Sequence, residues 1–93
     1  MKENLKVVCV QAETYSVYEK ERNIQYHVDK ILSLKDEHPD LVVFPELSIS
    51  GYIRESNPEN RRDYWNLGAE PVPGPATNRI IEAAKEVGCY VIF

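Results

Sequence analysis

The sequence predicts an α/β fold organised on a parallel sheet, and three observations carry that reading. Short runs of apolar and β-branched residues occur at three places along the 93 residues. Between them lie stretches whose apolar residues recur at helical spacing. Proline and glycine stand at the borders of these segments and punctuate them. A strand–helix–strand–helix–strand order implies parallel strands joined by crossover helices. The length bounds the answer to one domain at most, because domains typically hold about 100–200 residues.

The first strand is expected over residues 5–11 (LKVVCVQ), an apolar and β-branched run. Residues 12–17 are polar and mixed and read as a connection. Residues 18–36 follow as an amphipathic helix, because Ile24, Val28, Ile31 and Leu32 fall at i, i+4, i+7 and i+8 and share one face. His38-Pro39 stops it, since proline pushes the residue before it out of the α region. Residues 41–44 (LVVF) form the second strand, which Pro45 ends for want of an N–H. Residues 48–52 (SISGY) read as a loop. Asn57 is expected to cap a short helix that has Pro58 at its first position and ends at Gly68. Residues 71–75 (PVPGP) read as stiff and extended, with Gly74 as a turn. A further helix runs over residues 75–87, with Ile80, Ala84 and Val87 on one stripe and Ile81 and Ala83 beside it. Gly88 terminates it. Residues 89–93 (CYVIF) supply the third strand.

Composition narrows the function classes. Eleven Lys+Arg against fifteen Asp+Glu give a formal net charge of −4. With no basic cluster, neither nucleic acid nor an anionic membrane surface is an expected partner. A hydrophobic content of 43% with 10% aromatics is too apolar for a disordered chain. Apolar runs such as residues 7–10 and 41–44 are far shorter than the roughly 20 residues that a transmembrane helix needs. No secretory leader is expected, and two cysteines make no disulfide framework, so a reduced, cytoplasmic setting is the expectation. No Cys/His pair has metal-ligand spacing and no Gly-rich phosphate loop is present, so neither metal nor cofactor is expected.

Strands made of continuous apolar runs are usually buried on both faces. If these three lie in the order one-two-three, both crossover helices fall on one face and the other is left uncovered. Either the order reverses, or a further layer belongs to the fold. The second alternative is preferred.

In open parallel sheets, ligands bind beyond the carboxyl ends of the strands. Gln11 and Glu46 qualify by position. Glu46 follows an apolar strand and Pro45, so its carboxylate is expected to be partly desolvated, which would raise its pKa towards the range useful to a general base. The alternative is a glutamate that caps an N–H or pairs with a cation. Cys9, in the middle of the first strand, is expected as a small buried hydrophobe, and Cys89 opens the third strand away from the site. His27 reads as a boundary residue beside the helix stripe, and His38 as a surface turn residue. The Tyr15/Tyr18 and Tyr64/Trp65 pairs suit a pocket lining or, more commonly, helix packing.

The segment Leu41-Val42-Val43-Phe44-Pro45-Glu46-Leu47-Ser48-Ile49-Ser50-Gly51-Tyr52 resembles the first signature segment of the carbon–nitrogen hydrolase (nitrilase) superfamily: an apolar strand, Pro-Glu-Leu, then a short loop ending in Gly-Tyr. A first strand ending in Val-Gln agrees with it. So does Pro73-Gly74-Pro75 followed by an Ala-rich helix and the strand from Gly88 to Phe93. The likeness covers essentially the whole chain.

The resemblance implies the N-terminal part of an αββα sandwich, in which a second sheet covers the open face. It also implies a Glu-Lys-Cys catalytic set acting on a non-peptide C–N bond of an amide, carbamoyl or nitrile substrate, with Glu46 as the general base. Tyr52, at the end of the same loop, is a candidate to line the substrate pocket. The family's lysine and cysteine lie beyond the strand of residues 89–93, and neither Cys9, Cys89 nor any lysine here matches them. Residues 1–93 are therefore expected to be an N-terminal segment of such a domain, incomplete at its C-terminus and inactive alone. A homo-oligomer is implied for the whole enzyme. Arg54, Arg61 and Arg62 could meet a carboxylate-bearing substrate, though exposed charges on a short helix are the commoner case. The alternative function is a non-catalytic half-domain that binds a partner through its open sheet face, and an ordinary small α/β domain comes third.

Overall fold

The computed structural model describes residues 4–52 and 58–93. Three short parallel strands, β1 (Val7–Cys9), β2 (Leu41–Val43) and β3 (Tyr90–Ile92), form one sheet in the order β1-β2-β3. Three α-helices, α1 (Lys20–Ser33), α2 (Pro58–Gly68) and α3 (Pro75–Val87), fill the connections. The expected α/β class and parallel sheet are both present, and the strand order is the sequential one.

The register aligns Val7, Leu41 and Tyr90 in one row, Val8, Val42 and Val91 in the next, and Cys9, Val43 and Ile92 in the third. Successive side chains of a strand point to opposite faces, so the middle row faces one way and the outer rows the other. The middle row meets the helices. Val42 is fully buried there with Val10, Ile31, Phe44, Ile80 and Ala83, and Val8 and Val91 pack against them. Burying a side chain of the size of Ile31 or Ile80 is worth about 1.5–3 kcal/mol. The opposite face is open: Val7, Tyr90 and Ile92 are 47%, 82% and 55% exposed. The uncovered face expected from the strand order is thus present.

Cys9 lies on that open face and is exposed, which corrects the expectation of a buried hydrophobe. The strand's alternation decides this, because Val8 takes the inward position. Each strand is also shorter than its apolar run. Pairing continues past the ends through single bonds, with Val10 N–H donating to Val43 O at 2.8 Å and Phe44 N–H to Ile92 O at 2.8 Å.

The predicted helix over residues 18–36 is an α-helix flanked by 3-10 turns at Val17–Glu19 and Lys35–Glu37. Its buried residues are Asn23, Ile24, His27 and Ile31. The buried face is rotated from the predicted stripe, since Leu32 is 40% exposed while His27 is 1% exposed. His27 is therefore a core residue and not a boundary one. His38 closes the second 3-10 turn in the left-handed region at φ 51°, exposed as expected.

α3 has the predicted bounds. Gly74 is its N-cap, Pro75 its first residue, and Gly88 ends it at φ 80° with its N–H on Ala84 O at 2.7 Å. Its buried stripe is Ala76, Ile80 and Ala83, with Ile81 exposed. Residues 71–75 are not extended: Val72 to Gly74 bend, and the Val72–Pro73 peptide is cis. The proposed Asn57 cap of α2 lies outside the described residues, as does Arg54. Among the described residues no helix is long and apolar enough to cross a membrane.

Candidate active site

Glu46 stands three residues beyond the end of β2, at the start of a turn spanning residues 46–50. Pro45 ends strand pairing, and Leu47 at φ 53° reverses the chain direction. Gly51 N–H then closes the turn on Leu47 O at 2.7 Å. Gly51 itself sits at φ 78°, and a Cβ there would meet the carbonyl oxygen of Tyr15 at 2.5 Å. The position therefore calls for glycine on two counts, conformation and space.

The turn is held from two sides, and a third network ties the helices around it. From α1, the Asn23 amide donates to the carbonyls of Tyr15 and Ile49, both at 2.9 Å, while its oxygen accepts from Tyr15 N–H at 2.9 Å. One turn later His27 reaches the Ser48 hydroxyl at 2.8 Å. From α2, the Tyr64 hydroxyl donates to Gly51 O at 2.7 Å and lies 2.9 Å from Ser50 Oγ. Near the start of α3, Glu70 caps Ala76 N–H at 2.7 Å and pairs with Lys20 at 2.5 Å. Lys20 in turn reaches the Leu67 and Gly68 carbonyls at the end of α2. Burial pushes the Glu70 carboxyl up. Lys20 and the Ala76 and Thr77 N–H groups outweigh it and hold the group below the usual carboxylate range.

Glu46 points away from this scaffold. It is exposed, so the expected desolvation of its carboxylate is not found among the described residues: the loop backbone is buried at Ser48 and Gly51, and the Glu46 side chain is not. The Tyr52 hydroxyl donates to Glu46 Oε1 at 3.1 Å. Partial burial and this contact with Glu46 push the Tyr52 phenol above its ordinary value. The structure thus brings Glu46 and Tyr52 together. A carboxylate that accepts and a phenol that donates can share or relay a proton. Gln11 is exposed just past β1, at the same carboxyl end of the sheet. Arg61 and Arg62 are exposed on α2.

The two thiols lie elsewhere. Cys9 is on the open sheet face, and Cys89 is half-buried before β3, where burial pushes its thiol up and keeps it protonated. Of the aromatic pairs, Tyr15 lies 3.7 Å under the Arg22 guanidinium, Tyr18 donates to Asp63 at 2.7 Å, Tyr64 anchors the turn and Trp65 is exposed. A cavity of about 220 Å³ lies behind the turn, against Leu47, Ser48, Val72, Ala76 and Phe93. Among the described residues no three His, Cys, Asp or Glu side chains converge to hold a metal ion.

Asn23 and Ser48 were not singled out from the sequence and His27 was read only as a boundary residue, yet a signal for Asn23 and His27 was present. Asn23, His27 and Ile31 lie at i, i+4 and i+8, so one buried helical face carries two polar residues. Buried polar groups need partners, and these two find theirs in the loop beside Glu46.

Comparison with known proteins adds the following. The carbon–nitrogen hydrolase family matches residues 6–93. An aliphatic nitrilase of Sinorhizobium fredii (strain HH103) is 30% identical over 82 residues, covering 76% of this chain. The match takes in 27% of that nitrilase, so the chain spans about a quarter of its relative's length. No solved structure matches the chain.

Proposed function

The chain belongs to the carbon–nitrogen hydrolase family, and from that premise we propose that it supplies the glutamate-bearing N-terminal portion of an enzyme that cleaves a non-peptide C–N bond. The substrate class is an amide, carbamoyl compound or nitrile. The observation that carries this reading is Glu46, exposed beyond the carboxyl end of β2 on a turn fixed from behind, with the Tyr52 hydroxyl on its carboxylate. Ligands of open parallel sheets bind at that end.

In the proposed cycle on an amide, Glu46 takes the proton of a cysteine thiol. The thiolate attacks the carbonyl carbon while a lysine stabilises the oxyanion. The proton passes to the leaving nitrogen, the C–N bond breaks, and ammonia or an amine departs from a thioester. Glu46 then takes a proton from water, whose attack releases the acid and restores the thiol. Tyr52 lines the pocket and steadies the carboxylate. No lysine and neither cysteine of these 93 residues matches the family's catalytic pair, so the chain alone is expected to be inactive. No cofactor takes part. A second sheet over the open face, a homo-oligomeric assembly and a cytoplasmic setting belong to the same proposal.

The test is ammonia release from a panel of amides, carbamoyl compounds and nitriles by the purified chain. No release is expected. Measurable release would show that these residues already contain a full catalytic set, and would overturn the division proposed here.

One observation favours a second reading, a non-catalytic half-domain that docks a partner. Val7, Tyr90 and Ile92 leave large apolar side chains exposed on the open face. Sedimentation tests this second reading: a well-behaved 10.7 kDa monomer counts against a docking face.

A further inference from the structure

We propose that Asn23 and His27, on successive turns of α1, are positioning residues for Glu46, gripping the chain on both sides of it so that its carboxylate stays against Tyr52. The inference rests on the reading of Glu46 as the base for its functional meaning. Its geometry stands without that reading.

His27 brackets Glu46. Its ring stacks on Phe44, two residues before, with centroids 4.1 Å apart and planes at 29°. Its Nε2 lies 2.8 Å from Ser48 Oγ, two residues after. The proton positions follow from the partners. Nδ1 lies 2.7 Å from the Asn23 carbonyl, which can only accept, so Nδ1 carries the hydrogen. Nε2 is then bare and accepts from the Ser48 hydroxyl. Burial lowers the ring's pKa, outweighing the Asn23 carbonyl contact, which keeps it in this neutral form. Asn23 extends the grip by one residue through Ile49 O, and ties the same loop to Tyr15.

Each of the three side chains is nearly inaccessible: Asn23 is 2%, His27 1% and Ser48 3% exposed. Apolar residues of similar volume would fill this space without the need for directional partners. What the polar set adds is direction, since each bond fixes one atom of the loop. Direction is needed here because Leu47 holds a left-handed conformation, which a free chain leaves readily. Without the bonds at residues 48 and 49, the turn is free to relax and carry the Glu46 carboxylate away from the phenol.

The test is Ser48→Ala, which removes the hydroxyl and adds no bulk. Tyr52 is read by ring-carbon NMR titration in tyrosine-labelled protein and assigned with Tyr52→Phe. Its titration should fall, since burial beside the turn and the Glu46 contact are what raise it, with Tyr64 the other group that faces it. Exchange of the Gly51 amide should quicken about tenfold or more, while the Val42 amide keeps its protection. Ser48→Thr, which keeps a hydroxyl, should restore both. A folded Ser48→Ala variant with unchanged Tyr52 titration and Gly51 exchange would overturn the proposal. Should that variant fail to fold, nitrogen NMR of wild-type His27 decides: the neutral Nδ1–H form is expected, and the Nε2–H form would overturn it. None of these readouts needs turnover, so a normal rate in a Glu46 variant would remove the base and leave the clamp standing.

Discussion

Acidification from about pH 7.5 to about pH 5.5 should destabilise this protein through His27. Burial in the core lowers the ring's pKa from the ordinary 6.5, against a smaller upward pull from the Asn23 carbonyl. The unfolded chain therefore takes up the proton first as the pH falls. Between 6.5 and the lowered folded value, the unfolded state binds more protons than the folded one. Stability then drops with falling pH, at a limiting slope of about 1.4 kcal/mol per pH unit. Above 6.5 the contribution is fully present, and below the folded value the loss levels off. The slope is large against the roughly 5–15 kcal/mol that separates a domain from its unfolded state. Glu37, held down by its Lys6 hydrogen bond, and Glu86, held down by Lys35, act in a lower window. Their stabilisation is present above the ordinary 4.5 and is lost as the pH falls below it. The assay is urea unfolding followed by circular dichroism at several pH values, on wild type and on His27→Gln. Glutamine keeps a donor and an acceptor but does not titrate. Equal slopes for the two proteins between pH 6.5 and 5.5 would refute the assignment of that window to His27.

Other expectations concern packing and backbone. Ile31→Ala empties a fully buried position between α1 and the sheet and should cost about 2–5 kcal/mol in urea unfolding, with the fold retained. A loss below about 1 kcal/mol would mean that the core is not packed as described. Gly88→Ala and Gly51→Ala separate conformation from space. Both glycines have φ near +80°, but a Cβ at Gly88 meets nothing within 4 Å, whereas one at Gly51 strikes the Tyr15 carbonyl. Gly88→Ala should cost about 1 kcal/mol, and Gly51→Ala clearly more. Equal costs would contradict the close approach at Gly51.

How far the sequence disclosed this structure depends on what kind of signal each element carries. α3 was readable to both ends because Pro75 and Gly88 act locally, one by its missing N–H and the other by its left-handed conformation. The uncovered sheet face was readable from topology, since two crossovers joining three parallel strands in sequential order cover one side. The faces of the helices were read less well. Hydropathy counting placed Leu32 inward, Ala84 and Val87 on the α3 stripe with Ala83 only beside it, and His27 at the boundary, whereas the packing of α1 against α3 and the sheet turns each helix by part of a turn. Cys9 was misjudged for a related reason: a uniformly apolar strand gives no alternation from which to tell its two faces apart. The site shows the same division. Glu46 stood out because Pro45 and the strand before it are local markers. Its exposure, and the grip of Asn23 and His27 on residues 48 and 49, depend on contacts across more than twenty residues of chain, which no local pattern records.

The most direct measurement is ammonia release by the longer hydrolase proposed to carry these residues, compared between wild type and Glu46→Gln. Glutamine keeps the size of the side chain and its contact with Tyr52 while removing the carboxylate that takes the proton. The expected result is a fall in kcat of about 100- to 10,000-fold. A fall of less than about tenfold would contradict the assignment of Glu46 as the general base.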